Sequence, residues 1–327
     1  MRRWMLVGVG VLVAVATWST GATMGQSQQP SGGQGFKVAL LLPGPINDHG
    51  WNQNGYEGLQ AIKRQLAASV AFTENVAQSD QLNDFRGYAT LGYNLIIGHG
   101  FQFGDAAKQV APGFPREWFV VTSSTITQAP NVVGILGDTY QEGFLAGVAA
   151  AALSTTHTVG AVGGQSDPPI TNALAGFEAG AKYLLPGIKV LTGFTESYSD
   201  IAKAREFAEA MIAKGADVLI GDANQASIGV IESCKVRRML CIGINTDAHS
   251  LAPDNVPVSV VQDYGPTIVA VAKRVRDGTM ALQALKVGIP EGQYRLSPWY
   301  GKVPADVRRK VDQIEAQIRS GALKIGR

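Results

Sequence analysis

The sequence predicts an α/β protein made of two lobes, each built on an open parallel sheet. Short apolar runs alternate with amphipathic stretches from residue 36 onward. The runs are apolar throughout, as is typical of strands covered by helices on both faces. Regular alternation of strands and helices is typical of βαβ units, whose strands pair in parallel.

The predicted strands are nine apolar runs bounded by turn residues. They span residues 37–42, 94–98, 118–122, 131–136, 158–164, 188–193, 216–221, 239–244 and 256–261. Four amphipathic stretches between or after them, at 55–69, 142–154, 199–215 and 265–285, are predicted helices. The segment 84–100 and the segment 207–225 show the same order of helix, glycine, strand and polar turn. This weak internal similarity predicts two alike lobes, with a small molecule bound between them by hinge closure.

The first 35 residues are predicted to lie outside this fold. Residues 1–22 have the features of a secretory signal peptide: Arg2 and Arg3, an apolar stretch, and small residues at Thr20 and Ala22. Residues 23–35 are rich in Gln, Ser and Gly, which predicts a disordered lead-in. No cysteine lies near the expected cleavage site, so a lipid-anchored cysteine is not expected. The predicted location is the periplasm.

Charge and cysteine content narrow the function further. The formal net charge is +2, and the predicted signal peptide contributes two arginines, so the mature chain is near neutral. Near-neutrality argues against binding to nucleic acid and to anionic membranes, and no direct membrane insertion of the mature chain is expected. Cys234 and Cys241 either form a disulfide or remain two buried free thiols, and the sequence leaves both readings open.

Aromatic, amide and carboxylate side chains follow the carboxyl ends of the predicted strands. Because these ends face a cleft in open α/β sheets, the side chains there are candidate ligand contacts. They are Asp48, Trp51, Asn52, His99, Phe101, Tyr198, Asp222, Asn224, Asp247 and Gln262. Structural alternatives exist, since Asp48 could cap the next helix and Trp51 could pack that helix on the sheet. Phe101 could pack within its own lobe.

Signatures of catalysis are missing from the sequence. It contains neither a G-x-S-x-G elbow nor a Walker lysine loop, and Cys234 has no evident histidine partner. The four histidines lie scattered without the spacing of a metal site. We therefore expect no catalytic residue, no metal and no cofactor.

Several motifs in the same order resemble the basic membrane protein (BMP) family of ABC-transporter substrate-binding proteins, whose best-known members bind purine nucleosides. The resemblance extends from residue 36 to about residue 327. It implies a type I periplasmic-binding-protein fold with two Rossmann-like lobes. The motifs are Asp48–Gln53, Glu142–Gly147, Val159–Gly164, Gly176–Ala181, Ser197–Asp200, Gly215–Val218 and Trp299–Pro304.

The resemblance also implies roles for individual residues. The family's base-stacking aromatics correspond to Trp51 and Tyr198, and its polar ligand contacts to Asp48, Asn52 and Asp247. Two departures concern the ribose contacts. Nucleoside binders often have a lysine where this chain has Gln262, and the loop 98–105 differs from their pattern, so a nucleobase or another heterocycle stays open.

The sequence therefore predicts a non-catalytic, monomeric substrate-binding component of an ABC importer that binds a purine-like ligand and works with a permease and its ATPase. One lobe is expected to contain residues 36–137 and 247–282, and the other residues 138–246 and 283–327. Two alternatives belong to other classes. One is a nucleoside or sugar hydrolase that uses cleft carboxylates such as Asp48, Asp222 and Asp247, and the other is a sensory ligand-binding module.

Overall fold

The computed structural model describes residues 35–326, in which two sheets are flanked by helices. The predicted signal peptide and nearly all of the predicted lead-in lie outside the described residues. The strands are β1 (Lys37–Leu41), β2 (Ser69–Thr73), β3 (Leu95–Gly98), β4 (Trp118–Thr122), β5 (Thr127–Gln128), β6 (Val132–Gly137), β7 (Thr158–Gly163), β8 (Lys189–Phe194), β9 (Val218–Asp222), β10 (Leu240–Asn245), β11 (Val258–Gln262), β12 (Leu285–Val287) and β13 (Tyr294–Leu296). The helices are α1 (Trp51–Leu66), α2 (Gln81–Thr90), α3 (Gly104–Val110), α4 (Thr139–Leu153), α5 (Pro168–Leu184), α6 (Ile201–Ala213), α7 (Ser227–Arg237), α8 (Tyr264–Arg276) and α9 (Ala305–Arg319).

Each sheet forms the centre of one lobe. The first sheet has the order β12-β6-β4-β3-β1-β2, with β5 paired to β6, and the second has the order β13-β11-β10-β9-β7-β8. All pairs are parallel except those made by β5 and β13. The prediction of an α/β fold with two parallel-sheet lobes is confirmed.

The predicted lobe boundaries differ from the sheets at two strands. Strand β11 pairs with β10 in the second sheet, although it lies in the segment 247–282 that was expected in the first lobe. Strand β12 pairs with β6 in the first sheet, although it lies in the segment 283–327 that was expected in the second lobe. Strand β12 pairs with a strand that is distant in sequence, whereas β11 pairs with the preceding strand β10, and the chain crosses to the first lobe only after β11.

The apolar strands are covered on both faces, as their composition predicts. Within β1, Val38 and Leu40 belong to one buried cluster, and Ala39 and Leu41 belong to another on the opposite face. The second sheet has the same arrangement, because Val159 and Val162 of β7 fall in different clusters. Strand β2 was not predicted, because it is a partly exposed edge strand with no continuous apolar run.

Helices α4 and α5 of the second lobe pack unusually closely, and glycines make this possible. A Cβ atom on Gly143 would lie 1.8 Å from the carbonyl oxygen of Ala173, and one on Gly180 would lie 1.9 Å from that of Phe144. Only residues without a side chain allow the two backbones to approach this far. This contact holds the first turn of α4, including Glu142, against the inner side of the second lobe.

The two lobes are also joined by side chains at the base of the cleft. The Nδ2 group of Asn54 in α1 donates to the carbonyl oxygens of Asn245 and Gln262 at the ends of two second-lobe strands. Its Oδ1 atom accepts from the backbone N–H of Tyr264, at 3.2 Å. Asn54 thus links α1 to the ends of β10 and β11 and to the start of α8.

Two further features concern the second lobe and the described chain as a whole. Cys234 and Cys241 form a disulfide between α7 and β10, which settles the choice that the sequence left open.

Across residues 35–326, none of the helices has the length and apolar character needed to span a membrane.

Candidate ligand-binding cleft

A cavity of about 700 Å³ lies where the strand ends of both lobes meet. Residues beyond the ends of β1, β3 and β4 line one side, and residues at or beyond the ends of β7, β8, β9, β10 and β11, with the first turn of α4, line the other. Eight of the ten predicted contact residues line this cavity. They are Asp48, Trp51, Asn52, Phe101, Tyr198, Asp222, Asn224 and Gln262.

Trp51 begins α1, and His99 supports its indole ring from behind. The two rings are stacked, with centroids 4.2 Å apart and an angle of 18° between their planes. The Nε2 group of His99 donates to the carbonyl oxygen of Trp51 at 3.0 Å, so Nδ1 accepts from the hydroxyl of Thr122 at 3.1 Å. His99 therefore holds both the backbone and the ring of Trp51 in place.

His99 itself does not line the cavity, which differs from its predicted role as a ligand contact. The residue is only 1% exposed. Burial lowers the pKa of His99 to about 4, because a charged imidazole would lose its hydration, so the ring is neutral near pH 7. Its position after β3 was predicted correctly, but the packing of Trp51 over it could not be seen in the sequence.

Asp48 organises the start of α1 and has little capacity left for a ligand. One of its carboxylate oxygens accepts from the backbone N–H groups of Gly50 and Gln53, at 2.9 and 3.1 Å. The other accepts from the backbone N–H and the Nδ2 group of Asn52, at 3.0 and 2.7 Å. A carboxylate has about four acceptor positions, and these contacts occupy them. The capping role that the sequence offered as an alternative is therefore present.

Asn52 is also fixed from two sides. In addition to the donation to Asp48, its Oδ1 atom accepts from the backbone N–H of Gly44 at 3.2 Å. Asp48 and Asn52 together shape the turn that brings Trp51 to the cavity.

Tyr198 comes from the loop after β8 and lines the opposite side of the cavity. Its hydroxyl donates to Oδ2 of Asp167 at 2.5 Å, while Oδ1 of Asp167 caps α5 at the N–H of Ile170. Burial and the hydrogen bond to Asp167 raise the pKa of Tyr198, so the phenol stays protonated. The ring is therefore anchored by its hydroxyl to the first turn of α5.

Glu142 and Asp222 form a pair of buried carboxyl groups in the cavity lining. Burial raises the pKa of Asp222 to about 7, against the weaker effect of a hydrogen bond from Asn245 at 3.4 Å. Burial, with the nearby charge of Asp222, raises the pKa of Glu142 well above its ordinary value. Both carboxyl groups therefore hold a proton to higher pH than an exposed carboxyl group would.

Sequence reasoning did not select Glu142 or Asn245 as site residues, although both line the cavity. A signal for Glu142 was present, because a single carboxylate begins the otherwise apolar helical stretch 142–153. A buried carboxylate in such a helix needs a functional or structural reason.

Asp247 lies outside the main cavity, in contrast to its predicted ligand contact. Its Oδ2 atom accepts from the hydroxyl of Tyr300 at 2.6 Å, and Oδ1 accepts from the backbone N–H of His249 at 3.2 Å. The ring of His249 stacks on Tyr300, with centroids 3.7 Å apart. Asp247 therefore ties the loop after β10 to the segment after β13, which no local pattern in the sequence reveals.

Comparison with known proteins identifies relatives along most of the chain. A family model described as ABC transporter substrate-binding protein PnrA-like matches residues 36–315. The transcriptional activator protein med of Bacillus subtilis (strain 168) is 30% identical over 257 residues, which are 78% of this chain and 80% of that protein. A purine-binding protein of Brucella abortus (strain 2308) is 29% identical over 291 residues, which are 88% of this chain and 82% of that protein.

A solved structure agrees with this assignment. The ABC transporter solute-binding protein from Conexibacter woesei DSM 14684 superimposes with a TM-score of 0.77 and 25% identity, over 89% of this chain and 98% of that one. The matched family consists of non-catalytic binding proteins, so the prediction that the protein is not an enzyme is confirmed. The hydrolase alternative has no support from these relatives. The chain belongs to the PnrA-like (BMP) family of ABC transporter substrate-binding proteins.

Proposed function

We propose that the protein captures a purine-like ligand, a nucleoside or a nucleobase, and delivers it to an ABC importer. The ligand's ring is held between Trp51 of the first lobe and Tyr198 of the second. The observation that carries this proposal is the position of the two aromatic side chains, which line one cavity from opposite lobes. Each is held in place, Trp51 by the stacked ring of His99 and Tyr198 by its hydrogen bond to Asp167.

Size and chemistry of the cavity support a small heterocyclic ligand. A volume of about 700 Å³ suits a drug-sized molecule. Aromatic faces attract a flat ring, and the amide and carboxyl groups of Asn224, Gln262 and Asp222 can pair with its polar edges. The relative from Brucella abortus is named a purine-binding protein, which agrees with this ligand class.

The proposed setting is that of a binding protein outside the cytoplasmic membrane. Residues 1–22 direct export, and the mature chain acts as a monomer. Closure of the two lobes around the ligand presents a joint surface to the permease, which its ATPase drives. Asn54 and the three passages of the chain between the sheets, after β6, β11 and β12, are the elements about which closure would occur.

A binding experiment on the mature protein tests the stacking contact. A thermal-shift screen of purines, nucleosides, pyrimidines and sugars identifies the ligand, because a ligand of the folded state raises the melting temperature. Isothermal titration then compares wild type, Trp51→Ala and Trp51→Phe. Loss of base–aromatic stacking is typically worth ~1–3 kcal/mol, so we expect Trp51→Ala to weaken binding by about tenfold or more and Trp51→Phe to weaken it less.

The control variant is Trp299→Ala, because Trp299 lies outside the cavity and donates to Asp312. It should leave the affinity unchanged. Unaltered affinity of Trp51→Ala for the cognate ligand would eliminate the proposed stacking, and a response to sugars alone would eliminate the proposed ligand class.

A sensory role is the second candidate. It is favoured by the name of the Bacillus subtilis relative, a transcriptional activator. Deletion of the gene separates the two roles. Loss of ligand uptake supports transport, whereas normal uptake with altered transcription in response to the ligand supports sensing.

A further inference from the structure

The cavity is lined by four carboxyl side chains and, within the described residues, by no lysine, arginine or histidine. The carboxyl residues are Asp48, Glu142, Asp167 and Asp222. Two of them accept short hydrogen bonds inside the protein, since Asp48 caps α1 and Asp167 accepts from Tyr198. The remaining two, Glu142 and Asp222, lie close enough for the charge of one to affect the other.

Among residues 35–326, two buried acceptor atoms of the cavity lining find no hydrogen-bond partner. They are Oε1 of Glu142 and Oε1 of Gln262, and each residue is only 2% exposed. The amide of Gln262 is oriented by donation from Nε2 to the hydroxyl of Tyr294, at 3.0 Å. A buried acceptor without a partner is costly, so these two atoms point to a ligand that brings hydrogen-bond donors.

The carboxyl group of Asp222 also receives little hydrogen bonding from the described residues. In the described part of the chain, its carboxyl group accepts one side-chain hydrogen bond, a long one from Asn245 to Oδ1 at 3.4 Å. A neutral amide donor offsets little of the cost of burying a carboxylate. Glu142, Asp222 and Gln262 together therefore offer acceptors and negative charge, and the described cavity lining places no cationic side chain beside them.

We propose that the ligand presents a positively charged nitrogen to Glu142 and Asp222 and donates an N–H group to Gln262. This inference rests on the proposed function and specifies its ligand as an aminated, cationic purine-like compound. The charge can be carried by the heterocyclic ring or by an amino group on an attached sugar. In either case the ligand supplies the cation that the described cavity lining lacks.

The described titratable groups around Glu142 and Asp222 all favour a cationic ligand. Those that act on Asp222, Glu142 or their neighbours are Asp138, Asp167, Glu196, Tyr198, Tyr264 and Tyr294. They are acids or phenols, so none of them neutralises the pair. Because burial raises the pKa of Asp222 to about 7, a cation that binds the ionised carboxylate displaces the proton from it. Affinity for the cation should therefore rise with pH near 7, by up to about tenfold per pH unit.

A charge series on one scaffold tests the inference. Isothermal titration compares adenosine, which is neutral, with 1-methyladenosine, whose ring is cationic, and with 5′-amino-5′-deoxyadenosine, whose sugar is cationic. Adenosine 5′-monophosphate provides the anionic member. We expect at least one cation to bind about tenfold more tightly than adenosine near pH 7.5, and the monophosphate to bind more weakly than adenosine.

Variants assign the effect to the pair. Glu142→Gln and Asp222→Asn each remove one negative charge at nearly constant shape, and each should reduce the preference for the cation by about tenfold. If one variant does not fold, the other and the pH dependence of the wild type remain decisive. The matched control is Glu178→Gln on the exposed face of α5, where Glu178 pairs with Lys182. This control variant should keep the full preference for the cation over adenosine.

The outcomes separate this inference from the proposed function. Failure of all four compounds and of every other purine to bind would refute the proposed function, and this inference with it. Adenosine binding as tightly as both cations, or a cation preference that neither variant reduces, would refute the inference alone. A preference for one cation identifies whether the ring or the sugar carries the charge.

Discussion

Protonation of His99 should destabilise the protein in mild acid, because the folded chain keeps this imidazole neutral. Its pKa falls from an ordinary value of 6.5 to about 4 in the folded protein, and burial is the main cause. Between these two values the unfolded chain binds more protons than the folded chain. Stability therefore rises with pH in this window: the contribution of His99 is complete above about 6.5 and is lost as the pH falls toward 4.

The size of the effect follows from the shift. One pKa unit corresponds to about 1.4 kcal/mol, so a shift of about 2.5 units gives at most about 3.4 kcal/mol. At about pH 5 the unfolded histidine is mostly protonated and the folded one is mostly neutral. The expected loss at that pH, relative to about pH 7.5, is about 2 kcal/mol.

Urea unfolding at about pH 5 and pH 7.5 measures this loss. Other groups also titrate in this range, so the comparison is between wild type and His99→Asn. The free energy of unfolding of wild type should fall by about 2 kcal/mol more than that of the variant. His157→Asn is the control, because His157 is exposed, and this variant should behave as wild type does.

An equal pH dependence in wild type and His99→Asn would contradict the reasoning. If His99→Asn does not fold, an NMR titration of the wild-type His99 ring replaces the comparison of unfolding free energies. An apparent pKa near 6.5 in that titration would also contradict the reasoning. The effect bears on function because a protonated Nδ1 can no longer accept from Thr122. Acid should therefore loosen the support behind Trp51.

Two further predictions concern the second lobe. Gly143→Ala should destabilise the protein by about 3 kcal/mol, because its Cβ atom would meet the carbonyl oxygen of Ala173; urea unfolding measures this. The control is Gly87→Ala in α2, where a Cβ atom would meet nothing within 4 Å, and this variant should stabilise the protein by about 0.5–1 kcal/mol. Similar effects of the two substitutions on stability would contradict the importance of the contact between α4 and α5. Replacing both Cys234 and Cys241 by Ala opens a loop of sequence separation 7 and should lower the free energy of unfolding by about 2.5 kcal/mol. Ligand affinity should not change. A change in affinity at full stability would instead implicate the disulfide in binding.

Much of the fold could be predicted because its signals are local. Runs such as 37–42 and 158–164 are apolar on both faces, and this pattern is characteristic of strands covered by helices on either side. Strand β2 escaped prediction because an edge strand needs no continuous apolar run. The lobe boundaries differ from the sheets at β12, whose partner β6 is distant in sequence, and at β11, which pairs with the preceding strand β10 before the chain crosses to the first lobe.

The candidate site was predictable to the extent that it follows from position in the chain. Residues at strand ends of an open α/β sheet face the cleft, which accounts for Trp51, Tyr198 and Asp222. Two predicted contacts lie outside the cavity for a different reason. His99 lies behind the ring of Trp51, and Asp247 is bound by Tyr300, fifty-three residues further along the chain.

Two α/β lobes with an aromatic and acidic edge follow from the amino-acid sequence alone, because apolar periodicity and the polar residues at strand ends are properties of short segments. Which of those polar groups have hydrogen-bond partners became clear only from the folded chain. The carboxylate of Asp48 accepts hydrogen bonds from the backbone at the start of α1, whereas the Oε1 atoms of Glu142 and Gln262 are buried without a partner among the described residues. Hydrogen-bond satisfaction depends on neighbours brought together by folding, and those neighbours cannot be read from local sequence.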